Sequence, residues 1–169
     1  RAKDLVARMT IPQKVALMSE SSSIGGGTTD GSLSSGAANN IANGGVRQAL
    51  IRLGSRTGQQ LAAYLNNVQE LCEALPLGIP FVVTTDAASG ASSLSASTVL
   101  SPWPYPLGLG AANDAALTHL YGDTVRREFM AMGFRWQLGP MADLGAEPRW
   151  ARVQNVFGEN ALHVSKHVR

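Results

Sequence analysis

The run Ile79-Pro80-Phe81-Val82-Val83-Thr84-Thr85 constrains this chain more than any other segment. It is rich in β-branched and aromatic residues and shows no alternation of apolar with polar, so the strand it predicts keeps neither face for water. Strands of that kind belong to parallel sheets covered by helices, because a parallel connection needs a crossover and the crossover is usually a helix. The flanking segments supply such helices. Gln59–Leu75 places Leu61, Leu65, Val68, Cys72 and Leu75 at helical spacing, with Gln69, Glu70 and Glu73 opposite. Asn113-Asp114 opens another helix through Leu117, Leu120, Tyr121, Val125, Phe129 and Met132, closed by Gly133. Val46–Leu53 alternates Val46, Gln48 and Leu50 against Arg47, Ala49 and Ile51 and predicts an earlier strand. Phe134–Leu138 predicts a further buried strand, and Asn160–Arg169 begins one more helix. The order helix, then strand–helix–strand–helix–strand–helix, means an α/β fold with a parallel sheet.

Ahead of this core, residues 1–9 place Leu5, Val6 and Met9 on one helical face. Thr10-Ile11-Pro12-Gln13 reads as a capping box, with Thr10 as N-cap, Gln13 three residues on and Pro12 in the first turn, where a missing N–H costs little. From Ser21 to Gly45 the composition turns to Ser, Gly, Asn and Thr, which reads as one long loop.

Composition excludes several function classes. Hydrophobic residues make up 44% of the 169, enough to bury a core, and charged residues only 15%. Fourteen Lys+Arg against 12 Asp+Glu leave a net charge of +2, with no basic run, so no nucleic-acid partner is expected. No apolar stretch reaches the ~18–20 residues that span a bilayer, so no membrane partner is expected either. The single Cys72 excludes a disulfide framework and a multi-cysteine metal site. His119, His163 and His167 are not spaced with carboxylates as a metal site requires, so no metal site is expected. Gly108-Leu109-Gly110 lacks the third glycine of a dinucleotide fingerprint and reads as a tight helix-entry loop. Gly25-Gly26-Gly27 lacks the lysine of a phosphate loop, and Ala88-Ser89-Gly90-Ala91-Ser92 lacks the frame of a nucleophile elbow.

Chemistry in parallel α/β folds sits where strands end and loops begin. Asp4, Glu70, Glu73, Asp123 and Glu128 fall on polar helix faces, Asp114 reads as a cap, and Glu20 and Asp30 lie at or in the long loop. Asp86, Asp143, Glu147 and Glu159 remain. Asp86 follows the apolar strand directly, a position poor for stability and good for binding hydroxyls. Glu159 reads equally as a cap for the last helix or as a functional residue.

Several motifs in one order then point to a family. Arg1-Ala2-Lys3-Asp4-Leu5-Val6-Ala7-Arg8-Met9-Thr10, Gly78-Ile79-Pro80 through Thr85-Asp86-Ala87-Ala88-Ser89-Gly90, and Trp136-Gln137-Leu138-Gly139-Pro140-Met141-Ala142-Asp143-Leu144 are three of them. Glu147-Pro148-Arg149-Trp150-Ala151-Arg152 with Phe157-Gly158-Glu159-Asn160 is the strongest. Together, over nearly the whole chain, they resemble the N-terminal barrel domain of glycoside hydrolase family 3. The resemblance implies a (β/α)8 barrel of ~250 residues, of which residues 1–169 would be the first part. It implies exo-acting, β-glucosidase-like hydrolysis with retention and with no metal or organic cofactor, on a β-linked glucoside or oligosaccharide, in the periplasm or outside the cell, although no leader opens the sequence.

The resemblance also assigns residues. Asp86 would bind sugar hydroxyls in the first subsite, and Arg152, the second arginine of Pro-Arg-Trp-x-Arg, would bind the same sugar. A carboxylate accepts from two vicinal hydroxyls and a guanidinium fork donates to two oxygens, so both roles are chemically apt. The nucleophilic Asp and the acid/base of the family come later, so no residue of this chain is expected to be catalytic. The remainder of the barrel and a following domain would be its partners. A Lys-His pair that binds sugar in the family lies on a later strand, and Lys166-His167 reads instead as a solvated helix pair. Ser89, Ala151, Asn155 and Asn160 stand where the family has His, Gly, often Glu and often Asp. A second reading is a truncated, non-catalytic half-barrel that binds sugar weakly or only associates with itself or a partner.

Overall fold

Three short strands, β1 (Gln48–Leu50), β2 (Val82–Thr85) and β3 (Trp136–Gln137), form one parallel sheet in sequence order. The computed structural model describes residues 1–19, 24, 30–51, 56–86 and 100–169. Gln48 pairs with Val82 and Leu50 with Thr84, while Thr84 and Thr85 pair with Trp136 and Gln137. Seven helices are described around the sheet: α1 (Ala2–Arg8), α2 (Ile11–Leu17), α3 (Ser35–Ala42), α4 (Gly58–Ala74), α5 (Pro106–Ala112), α6 (Ala115–Met132) and α7 (Ala161–His167). Consecutive parallel strands joined through α4 and through α6 are the βαβ units of a (β/α)8-type barrel, of which this is the first part. No described helix is long and apolar enough to cross a membrane.

Local sequence explains the helix ends. Thr10 and Thr57 each close a full capping box, with Gln13 and Gln60 returning the bond. Asp114 caps α6 by accepting from the Ala116 and Leu117 amides, and Gly133 ends it at φ +98. That glycine also lets the chain turn close over α4, where an added Cβ would lie 3.2 Å from Leu65. Leu61, Tyr64, Leu65, Val68 and Cys72 line the buried stripe of α4, and Val125, Phe129 and Met132 that of α6. These two stripes, with Ile41, Ile51, Val83, Phe134 and Phe157, form the core on one side of the sheet.

The structure corrects four expectations. The strand after Ile79 begins only at Val82, and that first residue is 38% exposed, while Val83, Thr84 and Thr85 are closed. Val82 shares its face with Trp136, opposite Thr84, and Trp136 is 52% exposed. The helices cover the face of Val83 and Thr85, while on the opposite face burial reaches Thr84 but neither Val82 nor Trp136. For the same reason β3 is not a buried strand, since Leu138 is also 44% exposed. Residues 21–45 are not all loop, because α3 lies within them, capped by the Ser34 hydroxyl on the Ala37 amide. Its only buried residues are Ala37 and Ile41, too small a stripe to stand out among Ser, Gly and Asn. Gly108-Leu109-Gly110 lies inside α5 rather than in an entry loop, and Asn113 ends that helix in the left-handed region.

Candidate functional site

The C-terminal ends of β2 and β3 open onto a cavity of about 340 Å³ whose lining includes Asp86, Tyr105, Gln137, Pro140, Arg152 and Asn155. Asp86 reaches it because β2 is held on both sides to its last residue: Ile51 donates to the Thr84 carbonyl at 2.8 Å and Leu138 to the Thr85 carbonyl at 2.9 Å. Arg152 reaches it by a longer route. After the cis Gly139–Pro140 bond the chain leaves the sheet, and the Met141–Val156 bridge brings it back. Between those ends, Trp150 bonds back to Glu147, Val153 to Trp150 and Asn155 to Arg152, which coils the segment into tight turns. Arg152 is the residue before the short 3-10 helix Val153–Asn155 and is exposed.

Charge separates the two arginines of this segment. The Arg149 side chain donates from Nε and Nη2 to the two oxygens of Glu147, at 2.8 Å each, and its backbone amide also donates to Glu147. These bonds hold the Glu147 carboxyl down to about 2, the side-chain bond first. Glu147 is therefore an anion already engaged and a poor proton donor. Among the described residues the Arg152 and Asp86 side chains make no ion pair or hydrogen bond, which leaves both fork and carboxylate open to the cavity. Asp143 and Glu147 are exposed and do not line it.

Tyr121 and Gln137 form one wall of this cavity and also line a larger one of about 560 Å³ between α6 and α7. Tyr121 is buried, packs edge-on to Trp103 with ring centroids 5.5 Å apart, and bonds to the Gln137 side chain. Burial pushes its phenol up, while the Gln137 bond works the other way. Sequence alone did not mark Tyr105, Tyr121, Gln137 or Pro140 as cavity residues. Tyr121 belongs to the apolar stripe of α6 and looks like core; only Gln137, a polar residue in a short apolar strand, carried a usable signal.

Two further expectations change. The cap of α7 is Asn160, whose Oδ1 accepts from the Leu162 and His163 amides, so Glu159 is not the cap and stands exposed. His167 is not solvated: it is 6% exposed and bonds to Thr118, while Lys166 reaches out to Asn113. Helix α7 packs on both α5 and α6, which closes over the histidine and not the lysine. No three His, Cys, Asp or Glu among the described residues gather as a metal site would need.

The profile of the glycosyl hydrolase family 3 N terminal domain matches residues 11–169. The chain belongs to this family. A periplasmic β-glucosidase/β-xylosidase of Dickeya chrysanthemi is 38% identical over the whole chain, and a probable β-glucosidase C of Aspergillus oryzae is 32% identical over 98% of it. Family 3 relatives are much longer, however: the chain spans about a quarter of them, 27% in both cases. Among solved structures, a family 3 β-N-acetylglucosaminidase of Paenibacillus superposes with a TM-score of 0.75 at 21% identity, over 94% of this chain and 29% of that one. A β-N-acetylhexosaminidase of Beutenbergia cavernae gives 0.68 at 23%, over 94% and 48%. At these identities the structures establish the fold alone.

Set against the family pattern, Ala151 and Asn155 both line the Asp86–Arg152 cavity, and Asn160 lies away from it as a helix cap. Ser89 lies outside the described residues.

Proposed function

We propose that this chain supplies the sugar-binding part of an exo-acting, retaining β-glucosidase. The observation that carries the reading is the convergence of Asp86 and Arg152, from segments far apart in sequence, on one cavity at the C-terminal end of a parallel sheet. Both have open hydrogen-bonding capacity there. The carboxylate accepts from neighbouring hydroxyls and the guanidinium donates to ring substituents, so a pyranose is held by opposite chemistries on two sides. Of the sugars acted on by relatives, glucose is favoured because β-glucosidase activity is named for both curated relatives, at 38% (beside β-xylosidase) and 32% identity, whereas the hexosaminidase structures stand at 23% or less.

Retention follows from the family resemblance. Two carboxyl groups ~5–5.5 Å apart act in turn, one as nucleophile and one as acid and then base. Neither comes from residues 1–169 in this reading; the rest of the barrel and a following domain supply them. Residues 1–169 hold the ring so that bonds to its hydroxyls tighten as it flattens in the transition state.

The experiment is hydrolysis of aryl β-D-glucoside by the full-length protein, followed by NMR of the first sugar released. Release of β-glucose before mutarotation supports the reading. Release of α-glucose, release of glucose 1-phosphate only when phosphate is added, or turnover of aryl β-N-acetylglucosaminide alone overturns it.

A further inference from the structure

Helix α7 meets the rest of the fold through a buried imidazole. His167 is the last residue of that helix, yet it is 6% exposed. Its Nδ1 lies 2.7 Å from Thr118 Oγ1 on α6. The Thr118 hydroxyl has one proton and two neighbours able to take it, the Asp114 carbonyl at 3.2 Å and His167 Nδ1. With the hydroxyl turned to Asp114, its oxygen accepts from Nδ1–H and Nε2 keeps a bare lone pair. Nε2 is buried and has no partner among the described residues. The imidazole stacks on Phe157 with centroids 5.5 Å apart and planes 9° from parallel, and the His163 ring stands at 4.7 Å.

We propose that His167 is an acid-sensitive latch: its neutral ring fastens α7 to α6 and to Phe157, and a proton on Nε2 releases α7. A cation here has no acceptor for its second N–H and sits in a place closed to water, which is costly. Its charged surroundings are unfavourable too. On α7 and the chain beyond it stand His163, Lys166 and Arg169; at the cap of α6 stands Asp114, and on α6 His119, Asp123 and Arg126. The α5 helix, Pro106–Ala112, and the Val156-Phe157-Gly158 stretch bring no titratable group. Burial above all, then His163 and Lys166, lowers the His167 pKa, with Asp114 alone opposing them. A lowered folded value means that the unfolded or released state takes the proton first. The latch is therefore fully present above the ordinary histidine value and weakens as pH falls from there through the folded value. Phe157 directly follows Val156, whose bridge to Met141 closes the Arg152 segment, so the latch also steadies that segment.

The test is hydrogen exchange of the α7 amides in the full-length protein from pH 7.5 to pH 5, corrected for intrinsic exchange, with His167→Gln beside it. The Gln amide can donate to Thr118 Oγ1 at every pH and cannot take a proton. In the natural protein, α7 opening is expected to rise on acidification, about tenfold for every unit by which the folded value lies under the ordinary 6.5. In His167→Gln it is expected to stay flat. Equal acid response in both proteins overturns the proposal. So does an imidazole titration of His167, followed by NMR in the natural protein, at or above 6.5; that reading decides the matter if His167→Gln does not fold.

Discussion

Arg149 grips Glu147 with two parallel bonds of 2.8 Å, three residues before Arg152, which has no such partner. The motif thus spends one arginine on its own architecture and leaves the other for the cavity. Geometry, more than exposure, tells them apart, since both are on the surface.

The first expected outcome concerns this pair. NMR of the Glu147 carboxyl should show titration near about 2, and Arg149→Ala should return it toward the ordinary value of 4.5. Because the folded value is lowered, whatever the pair adds to stability is present above about 4.5 and is lost as pH falls through about 2. Both groups are exposed, so the change in thermal midpoint at neutral pH should be small. An unshifted Glu147 would remove the distinction drawn between the two arginines.

Gly110 carries the second. A Cβ built on it would fall 1.8 Å from the Phe157 carbonyl oxygen, which is backbone and cannot swing aside. Gly110→Ala should destabilise the fold by about 1–3 kcal/mol or more, measured by denaturant unfolding. By contrast Gly122→Ala, where an added Cβ meets nothing within 4 Å, should be neutral or slightly stabilising. Equal effects at the two positions would contradict the close approach of α5 to the Phe157 stretch.

Glu128 gives the third. It accepts from the Ser101 amide and from the Ser101 hydroxyl, and so pins the chain leading into α5 against α6. Glu128→Ala should cost about 1.5–3 kcal/mol, the range for hydrogen bonds to a charged group. A loss below about 0.5 kcal/mol, usual for a solvated surface residue, would show the bond to be idle.

The Glu128 bond shows what sequence could and could not reveal. Helix α6 was legible from its spacing, its Asp114 cap and its Gly133 stop, and so was the polar position of Glu128. Its partner was not, because Ser101 lies 27 residues away and nothing local announces the contact. Likewise α4 and the Thr10 capping box read cleanly, since caps and stripes are local signals. The α3 helix did not, because it buries only Ala37 and Ile41, nor did the Gly108–Gly110 turns, because Gly110 serves a close approach to the Phe157 backbone that no local pattern announces. For the site, the end of β2 drew attention to Asp86 from its surroundings. Arg152 was found by resemblance, since its approach depends on the Met141–Val156 bridge. Tyr121 and His167 were hidden for opposite reasons: one looked like core and also lines a cavity, the other looked like surface and is buried.

The central claim is that Asp86 and Arg152 hold one sugar together and hold it tightest in the transition state. A double-mutant cycle on steady-state hydrolysis of aryl β-glucoside by the full-length protein, using Asp86→Ala, Arg152→Ala and the pair, tests it most directly. Each single change should lower kcat by about 10- to 100-fold, as for loss of charge-assisted hydrogen bonds, with a smaller change in KM. The double variant should lose less than the product of the two, with a coupling of about 0.5–3 kcal/mol. Losses that multiply independently, or that appear only as raised KM, would contradict a shared transition-state contact.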